Sequence, residues 1–175
     1  MIHKETVALL GASDRWGSFI IRGICTDYNL LLIDENCDQL DSLKADILSL
    51  YSQANVEILN CSKDASWQAD IIIVGSAAAN DINTIIEIKD VAIRKPVFQI
   101  NSSDVTDINL QKLFPFSKVI GLSFDIGEPA LQKNTYQNIN VSIDGGDEQA
   151  LQTAVNIMKI IGVNPSIKEH EIIEL

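Results

Sequence analysis

The sequence predicts an α/β chain with a doubly wound, mainly parallel sheet, and three observations carry that prediction. Short apolar runs alternate with stretches of helical period, the pattern of a sheet covered by helices on both faces. Runs such as Ile71-Ile-Ile-Val74 are apolar at every position, as strands buried on both sides must be. The first run, Val7–Leu10, passes through a glycine turn into a stretch of helical character, the strand-turn-helix order from which such sheets are built.

Seven strands follow from the apolar runs: Val7–Leu10, Leu30–Ile33, Val56–Leu59, Ile71–Val74, Val97–Ile100, Val119–Leu122 and Ile139–Ile143. Between the second and third, Asp38–Tyr51 places Leu40, Leu43, Ile47, Leu48 and Tyr51 on one helical face. Ile82–Ile93 and Ala150–Ile161 repeat the helical period. The latter opens on Asp147-Glu148, acids suited to a helix N-terminus, and closes at Gly162 with Pro165 beyond. No Pro-, Gly- or Ser-rich linker interrupts the chain. The expectation is one unit over residues 1–175, with 135–175 a divergent strand-helix-strand extension. Trp16, beside the glycine turn, is expected to anchor packing, and Trp67 to face the core between strands.

The turn Gly11-Ala12-Ser13-Asp14-Arg15-Trp16-Gly17 reads as a dinucleotide fingerprint of the Rossmann type. A glycine stands at Gly11 where a side chain would clash, and the amides opening the next helix are placed to cradle a pyrophosphate. Asp34 ends the second strand close to the expected ~20 residues beyond the turn, where an acid takes the ribose hydroxyls. Ligands of open α/β sheets bind outside the carboxyl ends of the strands. That rule gathers Gly11, Asp34, Gly75, Ser76 and Asn101 at one edge. At the centre of the turn, however, stands Asp14, a carboxylate able to cap the helix by itself. A self-capped turn that binds nothing is the plainer reading. Arg15 argues the other way, since its guanidinium can pair with phosphate.

Asp and Glu outnumber Lys and Arg by 24 to 13, for a net charge of −11, which opposes nucleic acid and anionic membranes through long-range repulsion. The N-terminus lacks the layout of a secretory signal, and no apolar run approaches the ~18 residues of a membrane span. A cytoplasmic protein is expected. Cys25, Cys37 and Cys61 form no paired short spacing, so neither a disulfide framework nor a metal site is implied. They are expected to be small buried hydrophobes.

Beyond the turn, Leu32-Ile-Asp34, Ala45-Asp46-Ile-Leu, Ala69-Asp-Ile-Ile-Ile-Val-Gly75, Asn101-Ser-Ser-Asp104-Val-Thr and Val119-Ile-Gly121 followed by Asp125 appear in order. With Gly11–Gly17 they resemble the NAD-binding half of the lactate/malate dehydrogenase family over roughly residues 5–130. The resemblance implies that Gly11 and Gly17 line the pyrophosphate; Ala12, Ser13, Arg15 and Trp16 of the same loop are counted as cofactor-binding residues with them. It implies that Asp34 holds the adenine ribose, Gly75 and Ser76 the nicotinamide-side loop, and Asn101 the neighbourhood of nicotinamide or substrate. Asp125 matches the acid that orients the family's catalytic histidine. That histidine has no counterpart, because His3 precedes the first strand and His170 lies in a terminal Glu-His-Glu. The substrate-clamping arginine falls on Glu128, and the family's mobile loop is replaced by Ser76-Ala-Ala-Ala-Asn-Asp81. No catalytic residue is assigned. The segment from Asn140 through Gly162 is more loosely similar to deazaflavin-dependent NADP reductases and prephenate dehydrogenase relatives.

Several of these residues also have plain structural readings. Asp34 suits a turn after a strand, Asn101-Ser-Ser-Asp104 is ordinary turn chemistry, Asp104 and Asp107 suit a helix cap before Leu113, and Glu128-Pro129 suits the first turn of a helix. The expectation is an NAD-binding, oxidoreductase-like protein without the family's 2-hydroxy-acid activity, with a homo-oligomer left open. NAD is favoured over NADP because the charge of Asp34 opposes a 2′-phosphate. Two alternatives stand beside it: a non-catalytic Rossmann scaffold or regulatory module that binds no cofactor, and a small NADP-dependent reductase similar to the deazaflavin-dependent ones.

Overall fold

The structure is a computed structural model and describes residues 4–101, 109–126 and 139–168. It contains one eight-stranded sheet in the order β3-β2-β1-β4-β5-β6-β7-β8. The strands are β1 Thr6–Leu10, β2 Asn29–Ile33, β3 Val56–Ile58, β4 Ile71–Val74, β5 Pro96–Asn101, β6 Lys118–Ile126, β7 Ile139–Gly145 and β8 Asn164–Ile167. β1 pairs in parallel with β2 on one side and β4 on the other, so the winding reverses between β1 and β4. β7 runs antiparallel to β6, with Ser123 opposite Ser142, and β8 returns parallel to β7. The expected mainly parallel, Rossmann-like α/β sheet is therefore present, and all seven expected strands occur in it.

The helices among the described residues are α1 Arg15–Ile24, α2 Cys37–Leu50, α3 Ser62–Gln68, α4 Ser76–Asn80, α5 Ile82–Ile88, α6 Leu110–Leu113 and α7 Glu148–Ile161. Strand side chains alternate between two cores. Leu9, Leu32 and Ile73 pack with α1, α2 and α7, while Leu10, Ile72 and Val74 pack with α3, α4 and α5. This two-sided burial is why the strands are apolar at successive positions. On α1 the buried residues Gly17, Ile20, Ile21 and Ile24 recur at helical spacing. α1 and α7 approach closely at Gly23, where a β-carbon would lie 2.8 Å from Ile161. Asp147 caps α7 through Ala150 N–H, and Gly162 ends it at φ 88°, a left-handed turn that glycine adopts without strain.

Three local expectations are corrected. The helix expected over Ile82–Ile93 stops at Ile88, and the chain turns to reach Arg94 at φ 64°. Asp81 starts it by accepting from Asn83 and Thr84 N–H, which also separates it from α4. Trp67 is 70% exposed at the end of α3 and does not face the core. Only Cys25 is buried; Cys37 and Cys61 sit exposed at the starts of α2 and α3. Asn109 supplies the side-chain cap of α6; Asp104 and Asp107, with Glu128, Pro129, His3 and His170, lie outside the described residues. Among the described residues no helix is long and apolar enough to cross a membrane, and no group of His, Cys, Asp and Glu is arranged to hold a metal ion.

Candidate functional site

The carboxyl ends of β1 and β4 form the crevice at which the winding reverses, the place where ligands of open α/β sheets bind. Gly11 leaves β1 at φ 77°, and its N–H and that of Ala12 both donate to Ile33 O, at 2.8 and 3.1 Å. Gly75 leaves β4 with its N–H on Leu10 O at 2.8 Å. A β-carbon on Gly17 would meet Gly11 O at 2.7 Å. The glycines at 11, 17 and 75 thus allow two backbone turns to come together beside the start of α1.

Asp14 fills the junction between these turns. Its Oδ1 accepts from Gly17 N–H at 2.6 Å and caps α1. Its Oδ2 is shielded from solvent and has no hydrogen-bond partner; a β-carbon on Gly75 would fall 2.6 Å from it. Burial raises the carboxyl above its ordinary value, and the nearby Asp34 charge adds to the rise, against the opposing pull of the Gly17, Trp16 and Ser76 N–H groups. The Ser76 N–H favours the ionised form without reaching Oδ2 in hydrogen-bond geometry. The self-capped turn read from the sequence is therefore present.

Asp34 is held from both sides. Oδ2 accepts from the N–H and hydroxyl of Ser13, at 2.9 and 2.7 Å, and Oδ1 accepts from Asn36 N–H at 3.0 Å. Burial pushes this carboxyl up, but the Asn36 and Ser13 hydrogen bonds together outweigh it and hold Asp34 below its ordinary value. Asp34 and Gly11 open onto a cavity of about 460 Å³. Leu10, Ile33, Leu59 and Ala78 supply apolar walls, and Asn60, Ser62 and Thr84 supply polar groups. The charged lining residues are Asp34, Glu35 and Asp81, all acids.

The remaining expected site residues take different places around this centre. Ala12 is buried in the core. With Gly11, Ala12, Ser13 and Gly17 N–H groups all engaged within the protein, fewer amides of the turn are open to a ligand than the motif implies. Trp16 stacks on Phe124 with ring centroids 4.3 Å apart, and the Arg15 guanidinium lies 5.2 Å from the Trp16 ring. The expected packing role of Trp16 is thus met. Ser76 opens α4. Asn101 donates to Ser123 Oγ at 3.2 Å, away from the cavity lining. Asp125 is exposed on β6 opposite Asn140. Sequence reasoning did not place Leu59, Asn60, Ser62, Ala78, Asp81 or Thr84 in the site. The signal was available: they follow β3 and β4 at the same carboxyl edge as Gly11 and Asp34.

No family model and no curated protein matches the sequence. Solved structures share the fold. A pyrroline-5-carboxylate reductase from Coxiella burnetii superposes with a TM-score of 0.70 at 14% identity, over 96% of this chain and 60% of that one. A UDP-glucose dehydrogenase from Pyrobaculum islandicum gives 0.69 at 13% identity, over 95% and 46%. An imine reductase variant from Myxococcus stipitatus, in complex with NAD+, gives 0.66 at 14% identity, over 94% and 55%. The chain therefore spans about half the length of these structures, and at such identities the likeness establishes the Rossmann-like fold.

Proposed function

We propose that this chain binds an adenine dinucleotide, NAD in preference to NADP, as the nucleotide-binding part of an oxidoreductase. The observation that carries the reading is the cavity of about 460 Å³ between Gly11 and Asp34 at the winding reversal. Its size and its apolar walls with few polar groups suit a nucleoside. Asp34, oriented by Ser13 and Asn36, is the acceptor for ribose hydroxyls, while Asp34, Glu35 and Asp81 together oppose a 2′-phosphate. Gly11, Gly17, Gly75 and Ser76 border the phosphate path, and Arg15 is the nearby cation of the turn. The complexes of imine reductases with NAD+ and NADP+ support the cofactor class. A bound nicotinamide supplies hydride chemistry; the chain's own residues bind and orient it.

The lactate/malate reading rests on the motifs between residues 5 and 130, and loss of 2-hydroxy-acid chemistry rests on Glu128 and the missing histidine. The named structures of similar fold are reductases and a sugar-nucleotide dehydrogenase, so we place the chain with NAD(P)-binding oxidoreductases at large. We take residues 1–175 as one such unit in a reducing cytosol, where the exposed free thiols Cys37 and Cys61 are stable. A scaffold that binds nothing is the second reading, favoured by Asp14 in the crevice.

Calorimetric titration with NADH and NADPH tests the choice. Micromolar NADH binding with weaker NADPH binding is expected; a preference for NADPH would select the NADP-reductase alternative. No heat and no thermal shift at millimolar concentrations of either would leave the scaffold.

A further inference from the structure

We propose that dinucleotide binding by this chain takes up one proton from solvent, held on Oδ2 of Asp14 in the crevice between the Gly11 and Gly75 turns. The inference rests on the nucleotide reading above and concerns how the phosphate part of that site works.

The geometry gives the two oxygens of Asp14 different positions. Oδ1 is committed to Gly17 N–H as the cap of α1. Oδ2 is buried and unpartnered beside Gly75. An anionic ligand entering this crevice meets a carboxylate where the fold otherwise offers helix-terminal N–H groups. Ionised, Asp14 has two acceptors and repels phosphate. Protonated, Oδ2 becomes a donor, and a phosphate oxygen of the ligand is the acceptor it would meet in the crevice.

The groups facing Asp14 favour this exchange. From its own turn come the Trp16 and Gly17 N–H groups, from the start of α4 the Ser76 N–H, and from the end of β2 the Asp34 carboxylate. Arg15 is exposed beside the Trp16 ring, and the ion pairs among the described residues are Arg22 with Asp46 and Lys118 with Asp147. Among the described residues no side-chain cation thus pairs with Asp14, and burial already raises its carboxyl. The step is a proton transfer alone: a solvent proton adds to the carboxylate, the O–H donates to phosphate, and no electrons move.

The experiment is calorimetry of NAD+ binding between pH 5.5 and 8.5, in buffers of differing ionisation enthalpy, with native protein and Asp14→Asn. Asparagine keeps the cap and carries a neutral donor. For native protein we expect affinity to rise as pH falls, by up to about tenfold per unit, with uptake approaching one proton per NAD+. For Asp14→Asn we expect tight binding independent of pH and no uptake. Adenosine, which lacks phosphate, should bind both proteins without pH dependence. Equal, pH-independent NAD+ affinity in the two proteins would overturn the proposal while leaving the nucleotide reading intact. The same pH dependence with adenosine would also overturn it by placing the proton elsewhere. Failure of either protein to bind NAD+ or adenosine at any pH would overturn both.

Discussion

Asp14 and Gly75 are fitted to one another: a β-carbon on Gly75 would stand 2.6 Å from Asp14 Oδ2, 3.0 Å from Leu10 O and 3.1 Å from Gly11 O. Two of these neighbours are backbone and cannot rotate away. Gly75→Ala is therefore expected to destabilise the fold by about 1–3 kcal/mol. In an Asp14→Gly background the penalty should shrink without vanishing, because the carboxylate is gone and the carbonyls remain. A double-mutant cycle by urea unfolding measures the coupling; full additivity would refute a direct contact.

The raised carboxyl of Asp14 predicts a pH-dependent stability. A group whose folded value is raised favours the native state fully below its ordinary value of 3.8 and loses that contribution as pH rises through the folded value. Native protein therefore carries a penalty at neutral pH that Asp14→Asn lacks. Thermal unfolding should show the variant melting higher at pH 7, with the difference closing as pH falls toward 3.8.

Asp34 has the opposite sign. Its lowered carboxyl stabilises the fold above the ordinary value of 3.8, and that contribution is lost as pH falls through the lower folded value. Ser13→Ala removes the hydroxyl donor at 2.7 Å. It should cost about 1 kcal/mol at neutral pH, a modest figure because the pair is partly solvated. The cost should fade in acid, as followed by denaturant midpoints at pH 7 and pH 3.

The two tryptophans should respond differently to truncation. Trp16 is stacked on Phe124 and packed against the core, so Trp16→Ala is expected to cost about 2–3 kcal/mol, less than a fully buried ring. Trp67 is 70% exposed, so Trp67→Ala should stay within about 0.5 kcal/mol. Chemical unfolding of the two variants checks both values.

Much of the fold was legible because it depends on local pattern. Two-sided burial makes a strand apolar at every position, as in Ile71–Val74, and helix starts and stops depend on neighbours only a few residues apart, as with Asp147 and Gly162. The glycine turn and Asp34 marked the candidate edge for the same reason. Trp67, Cys37 and Cys61 depart from expectation because hydrophobic character does not reveal which side of a helix, or of the turn that starts it, faces the sheet. Local pattern alone specified the alternation of strands and helices, a carboxylate at Asp14 able to cap α1, and the acid at the end of β2. Long-range packing sets β4 beside β1, bringing Gly75 against Asp14, turns β7 antiparallel to β6, and lets the chain after β3 and β4 complete the cavity facing Asp34. Strand order and side-chain approach arise from contacts between residues distant in the chain, which no local period encodes.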